Sequence, residues 1–235
     1  MRVNTIYPAF MGEINKYGIG APCTFVRLAG CNLRCYHKTK GTLCDTPEAL
    51  SMNCGHEMSV SEILSEVYRF GHKVICLTGG EPLMQNVTEL LTQLTNNGFY
   101  VVIETNGSRS VAPYRHIRNV SFIVDVKSTG SGESERMLED NYSLLNEDDF
   151  LKFVIDTEDD FIDFNNWITS HPDVKCHVAV GAFWGSSLDY QWIIKRITTE
   201  YKNVYLNMQT HKMACLYDCY KNNESFKDLF IPKEL

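Results

Sequence analysis

The sequence predicts an α/β fold with a parallel sheet. Short apolar runs rich in β-formers alternate with amphipathic helical stretches, the pattern of repeated strand–helix units. The unusual motifs lie at or just beyond the carboxyl ends of those runs, where parallel barrels and open sheets bind their ligands. Separate motifs therefore converge on one face of the sheet.

Residues 1–22 hold several Gly and Pro and little periodicity, and read as an ordered N-terminal arm rather than a core element. The first expected strand is 23–29. A polar loop over 36–58 follows, holding Cys44, Cys54 and Gly55. Loops of this length in a compact domain are functional or disordered. Ser59 and Glu62 form a capping box that opens a helix to about Phe70, with Val60, Ile63, Leu64 and Val67 on one face and Gly71 as its stop. Residues 73–78 read as a buried strand, followed by Gly79-Gly80-Glu81-Pro82. A helix then runs through Val87, Leu90, Leu91 and Leu94 and closes at Gly98. Further strands are expected at 99–104, 121–126, 150–155, 175–180 and 204–208. The fourth of the β-runs ends in Lys127 and a mobile-looking Ser/Gly/Glu stretch. Helices are expected after the Thr157 cap and at about 187–201. No repeat or interdomain linker is visible, so 1–235 reads as a single domain with a C-terminal extension at 213–235.

The chain has 235 residues, 44% apolar and 22% charged, which suits a globular enzyme with a sizeable core. A net charge of −7 gives no electrostatic reason to expect nucleic acid as a partner. No apolar run reaches membrane-spanning length and the first residues lack a secretory layout, so the expectation is a cytoplasmic protein with no membrane partner. Nine cysteines is an odd and high count for a reducing compartment, and points to metal or catalysis rather than a disulfide scaffold. Cys76 and Cys176, inside apolar runs, read as core residues.

Cys31, Cys35 and Cys44 follow the first strand with spacing C-x3-C-x8-C. Three thiolates leave one iron of a four-iron cluster open, and an open iron can bind and activate a small molecule. Cys54 competes as third ligand; Cys44, which Asp45-Thr46 follows, is preferred. A four-cysteine zinc site using Cys31, Cys35, Cys215 and Cys219 is the structural alternative, and leaves Cys44 without a role. Gly79-Gly80-Glu81-Pro82 reads either as a tight turn into a helix or as backbone that approaches an amino-acid ligand closely. Glu104-Thr105-Asn106-Gly107 is a turn, or a carboxylate and an amide that bind a ribose. Asp125 and Lys127 are a solvated pair or ligand contacts. Arg27 lies between Val26 and Leu28, where an unpaired charge is costly, so it needs a substrate carboxylate or an internal salt bridge. Glu13 is a second charge in weakly polar surroundings. The acidic set Glu158-Asp159-Asp160 reads as a helix N-terminal feature, and His37 as solvent-exposed.

The cysteine trio, GGEP and ETNG in this order resemble the radical S-adenosylmethionine enzymes. Phe10-Met11-Gly12-Glu13, Arg27-Leu28-Ala29-Gly30-Cys31-Asn32-Leu33, Cys44-Asp45-Thr46 and Gln209-Thr210-His211-Lys212 resemble the 7-carboxy-7-deazaguanine synthase family among them. The resemblance implies a partial (β/α) barrel, a [4Fe-4S] cluster held by Cys31, Cys35 and Cys44, S-adenosylmethionine on the open iron, and Mg²⁺ at Thr46. It implies cofactor contacts from Leu43, Asp45, Gly79, Gly80, Glu81, Glu104, Asn106, Asp125, Lys127 and Gly181. Met11, Gly12, Glu13, Arg27, Thr78, Gln209 and His211 are implied substrate contacts. The implied reaction is radical ring contraction of 6-carboxy-5,6,7,8-tetrahydropterin with loss of ammonia. The implied partners are the small-molecule pterin, a flavodoxin-like electron donor and a second copy in a homodimer. The chain departs from the family's common C-x3-C-x2-C by a longer last gap, and has Met11 where the family has Gln. A glycyl-radical activating enzyme is the closest alternative.

Overall fold

A nine-stranded sheet, mostly parallel, organises the protein. The computed structural model describes residues 1–39, 41–183, 188 and 190–210. In chain order the first elements are β1 (Arg2–Phe10), β2 (Pro22–Leu28), β3 (Tyr36–His37), β4 (Thr42–Leu43), β5 (His56–Glu57), α1 (Val60–Phe70), β6 (Val74–Gly79) and α2 (Thr88–Asn96). There follow β7 (Tyr100–Thr105), β8 (Val120–Val126), α3 (Asp140–Leu144), β9 (Phe150–Ile155), α4 (Glu158–Ser170), β10 (His177–Ala182), α5 (Tyr190–Glu200) and β11 (Val204–Leu206).

The sheet order is β11-β10-β9-β8-β7-β6-β2-β1-β5. From β2 through β11 every neighbouring pair is parallel. β1 and β5 add an antiparallel edge. The expected N-terminal arm thus contains a strand, β1, over Arg2–Phe10. Pro8 argues against that assignment in the sequence, but β1 has an outer partner only at Arg2 and Val3, so Pro8 sits on an edge, where proline is tolerated. The expected loop over 36–58 is likewise structured. It folds into the β3–β4 hairpin, two short 3-10 turns and β5.

Helix boundaries follow local chemistry. Ser59 and Glu62 cap α1 reciprocally, and Gly71 closes it in the left-handed region at φ 72°. Thr157 and Asp160 form the same box on α4. The segment after Lys127 is ordered: Asp163 accepts the amide (2.8 Å) and hydroxyl (2.6 Å) of Thr129.

The sheet separates two apolar clusters. The larger packs Ile63, Val67, Leu90, Leu91, Leu94, Phe161, Phe164, Ile193 and Ile197 of the helices against outward strand residues such as Ile75, Leu77, Ile103, Phe122 and Val124. The smaller holds Tyr7, Cys23, Phe25, Cys76, Val102 and Ile123 on the inner face. Successive strand residues point to opposite faces. The inner face is therefore apolar toward the strand starts and polar toward their carboxyl ends, where Arg27, Thr78, Glu104, Asp125 and Lys152 continue the inward series.

Candidate active site

Those inward residues line one cavity of about 760 Å³ at the carboxyl ends of the strands. Arg27 and Thr78 are register partners on β2 and β6, and Asp125 and Lys152 on β8 and β9. Parallel pairing thus sets these side chains side by side although they are far apart in sequence.

The three cysteines form one wall. Cys35 and Cys44 flank the β3–β4 hairpin, which pairs Tyr36 with Leu43 and His37 with Thr42. The amide of Cys44 donates to the carbonyl of Cys35 at 2.8 Å. The long gap between the second and third cysteines is therefore spent in an antiparallel excursion that returns Cys44 to Cys35. The return leaves Cys44 at φ 50°, an unusual conformation for a residue with a Cβ. Cys31 and Cys44 each accept a backbone N–H at sulfur, from Leu33 (3.4 Å) and Thr46 (3.3 Å), and Asn106 Nδ2 lies 3.6 Å from Cys31 Sγ. Burial pushes the Cys35 thiol up and the Cys44 thiol up to about 11. Such thiols stay protonated until a metal displaces the proton. This donor set, free of disulfides and supplied with hydrogen bonds to sulfur, fits an iron–sulfur cluster. Cys54 is exposed, gives its S–H to Ser51 O (2.7 Å) and lies off the cavity. Cys215 and Cys219, and with them the zinc alternative, lie outside the described residues.

The GGEP segment is built differently from the expectation of direct ligand contact throughout. A Cβ on Gly79 would lie 2.2 Å from Leu28 O, and one on Gly80 would lie 2.4 Å from Gly30 O and 2.7 Å from Ala49 O. The glycines let the end of β6 press against the cysteine loop, and both also line the cavity. Glu81 is fully buried and does not line it. Its carboxylate instead accepts Leu83 N (2.9 Å), Thr105 Oγ1 (2.8 Å) and Asn106 N (2.6 Å). Burial raises its pKa to about 7 against the pull of those three bonds.

A chain of buried and half-buried polar groups runs along the cavity lining from Gln209 to Lys127. Gln209 Nε2 donates to Glu13 Oε1 at 2.7 Å, and the other oxygen of Glu13 pairs with Lys152. Lys152 also lies 3.0 Å from Asp125 Oδ1, and Asp125 Oδ2 pairs with Lys127 at 2.5 Å. Burial alone would raise the Asp125 pKa, but Lys127 and Lys152 outweigh it and hold the carboxyl below its ordinary value. Burial would lower Lys152, but Asp125, Glu13 and Glu104 hold it well above the ordinary lysine range. Glu104, raised by burial and by Glu13, is hydrogen-bonded to Thr78 and feels the charge of Arg27. Arg27 Nη2 donates to Tyr7 OH at 3.3 Å, and Tyr7 stacks on Phe25 with centroids 5.2 Å apart.

Of the expected cofactor contacts, Leu43, Asp45, Gly79, Gly80, Glu104, Asn106, Asp125 and Lys127 line the cavity, as do Cys31, Cys35, Cys44 and Thr46. Of the expected substrate contacts, Glu13, Arg27, Thr78 and Gln209 do. Four expected contacts fall elsewhere. Glu81 is pinned beneath the floor, as described. Gly181 faces the backbone just past the end of β11, a Cβ there lying 2.3 Å from Asn207 O. Met11 is fully buried in the inner apolar cluster. Gly12 uses its carbonyl to receive Thr210 N at 2.9 Å. His211 lies outside the described residues. Residues not foreseen include Lys152, Asp156, Asp160, Tyr7 and Phe25. Lys152 carries the signal that singled out Arg27, a charge inside an apolar strand. Asp160, foreseen only as a helix-end charge, reaches the cavity as well. His37, expected in solvent, stacks on Phe183 at 3.7 Å and 10° on the cavity wall.

Residues 26–129 match the sequence pattern of the Radical SAM superfamily. The 7-carboxy-7-deazaguanine synthase of Methanospirillum hungatei JF-1 is 36% identical over 219 residues, which span 92% of this chain and 86% of that protein. The chain belongs to the 7-carboxy-7-deazaguanine synthase family. The synthase of Thermoplasma acidophilum is 34% identical over 217 residues, covering 91% of this chain and 96% of that one. Among solved structures, QueE from Escherichia coli superposes with a TM-score of 0.67 at 21% identity, over 88% of this chain and 92% of that chain, which shows the shared fold. In this chain the three cysteines line a cavity at the strand ends of that shared fold.

Proposed function

We propose that this chain contracts 6-carboxy-5,6,7,8-tetrahydropterin to 7-carboxy-7-deazaguanine with loss of ammonia, a step of queuosine-type 7-deazapurine biosynthesis. The observation that carries the reading is that one cavity holds three free cysteines on one wall and Arg27, Glu104 and Glu13 on another. A metal–cofactor pair and a carboxylated heterocycle with N–H groups can meet in such a place.

Cys31, Cys35 and Cys44 would hold the [4Fe-4S] cluster, with S-adenosylmethionine bound beside it in the same cavity. When bound and reduced, this pair supplies one-electron, hydrogen-abstracting chemistry. The Asn106 amide supports the cluster side through Cys31 and Asn32, and Gly79, Gly80 and Asp125 line the cofactor's place. Thr46 and Asp45 offer hard oxygens for Mg²⁺. Arg27 receives the substrate carboxylate through its planar fork. Glu13 and Glu104 accept ring N–H donors; Glu104, beside Thr78 and Arg27, belongs to the substrate end rather than to the ribose. Tyr7 and Phe25 give the ring an aromatic wall. The His37–Phe183 stack shields the site from bulk water.

A flavodoxin-like electron donor, a homodimer and a cytoplasmic location belong to the same proposal and come from the family. None of the helices in the described residues is long and apolar enough to cross a membrane.

The test is an anaerobic assay of the reconstituted protein with carboxytetrahydropterin, S-adenosylmethionine, Mg²⁺ and a reductant. A brown protein forming carboxydeazaguanine is expected. A colourless zinc protein, or an iron–sulfur protein that leaves the pterin intact, overturns the reading.

A further inference from the structure

Lys152 stands out as a buried cation that no sequence motif announces. It is 7% exposed, lies mid-strand in β9, and faces the cavity. Its two ion-pair partners come from distant parts of the chain. Glu13 belongs to the N-terminal segment and is held by Gln209. Asp125 belongs to β8 and is held by Lys127, whose charge in turn acts on the Cys35 thiol. Each carboxylate divides its oxygens, one to Lys152 and one to its own second partner. The ammonium is therefore the one link in the run Gln209–Glu13–Lys152–Asp125–Lys127 that touches both halves.

We propose that Lys152 is a positioning residue that couples the substrate end of the cavity to its cofactor end, so that hydrogen abstraction leads to product instead of abortive 5′-deoxyadenosine. This inference rests on the pterin reading above. Without the ammonium, Glu13 and Asp125 each lose an ion-pair partner, and Glu13 keeps the like charge of Glu104 near it. Buried carboxylates in that state take up a proton or move apart. Either response shifts the pterin relative to the cofactor, and small misplacements between reacting atoms are costly. In the abortive course the hydrogen taken from the substrate stays on 5′-deoxyadenosine. The substrate radical is then discharged by one electron from the reductant in the assay and a proton from water.

The experiment compares wild type, Lys152→Met and Lys152→Arg, reconstituted anaerobically and matched for iron content and visible absorption. Two quantities are read. One is the ratio of 5′-deoxyadenosine to carboxydeazaguanine. The other is the gain in S-adenosylmethionine affinity when 6-carboxypterin, an unreactive oxidised analogue, is bound, which is a direct measure of coupling between two sites. Met fills the volume without the charge, and Arg keeps the charge. Lys152→Met is expected to raise the ratio by about tenfold and to abolish the affinity gain, with Lys152→Arg restoring most of both. Should Lys152→Met fail to load iron, Lys152→Gln carries the same comparison. A variant without the charge that keeps the wild-type ratio and affinity gain overturns the proposal, even if it binds pterin more weakly. Wild type that makes no carboxydeazaguanine overturns the pterin reading itself, so the two failures are distinct.

Discussion

Glu81 receives the backbone N–H of Asn106 at 2.6 Å, and that bond ties the end of β6 to the end of β7 beneath the cavity. The same carboxylate receives Thr105 Oγ1 and Leu83 N. Asn106, so placed, turns its side-chain amide toward Cys31. Glu81 acts on the cluster wall through Asn106 and not by contact. Glu81→Gln puts an N–H₂ group among three donors and leaves at least one buried donor without an acceptor. The expected cost is about 1–3 kcal/mol in unfolding free energy, read by urea denaturation of the metal-free protein.

The pH dependence of that stability follows from the pKa. Glu81 is raised from 4.5 to about 7 in the folded chain. The folded state therefore holds a proton there that the unfolded state releases earlier. Its contribution is fully present below pH 4.5 and is lost as pH rises through about 7. The urea midpoint is expected to fall between these values, and Glu81→Gln is expected to flatten that part of the curve.

Cys44→Ala removes a cavity thiol and is expected to lose the cluster, whereas Cys54→Ala removes an exposed thiol bonded only to its own turn. Iron and sulfide analysis after anaerobic reconstitution distinguishes them. Equal iron in both variants would sink the assignment of Cys44.

Gly80→Ala forces a methyl group against two backbone carbonyls, those of Gly30 and Ala49, which cannot swing aside. Overpacking of this kind costs about 1–3 kcal/mol, and the displaced cysteine loop is expected to load less iron. Thermal unfolding and iron content are the measurements.

Arg27→Ala is expected to leave a reducible cluster, visible by its absorption and spin signal, while kcat/KM for the carboxytetrahydropterin falls by about ten- to a hundredfold, the scale of a lost charge-assisted bond. Arg27→Lys is not expected to restore it, because a lysine cannot offer the planar fork. An Arg27→Ala enzyme with wild-type turnover would sink the substrate assignment.

Much of the fold was legible because it is written locally. Capping residues mark α1 and α4, glycine stops α1, and apolar runs mark the parallel strands. β1 was not legible: Pro8 and weak periodicity mask a strand that exists because β2 pairs with its whole length. Nor was the β3–β4 hairpin, whose two-residue strands are too short to show a period. α3, five residues long, left no signal either.

The sequence by itself determined that three cysteines and several polar motifs would gather at the carboxyl ends of one sheet. Alternation along a strand and the place of each motif at a strand end suffice for that. Only the tertiary structure decided which groups meet there. Lys152 and Glu13 are 139 residues apart, yet they pair across the cavity. Gly181 packs against the backbone at Asn207, and the Glu81 side chain anchors the Asn106 amide. Such outcomes depend on strand order, register and the closeness of neighbouring backbones, and no local periodicity encodes those.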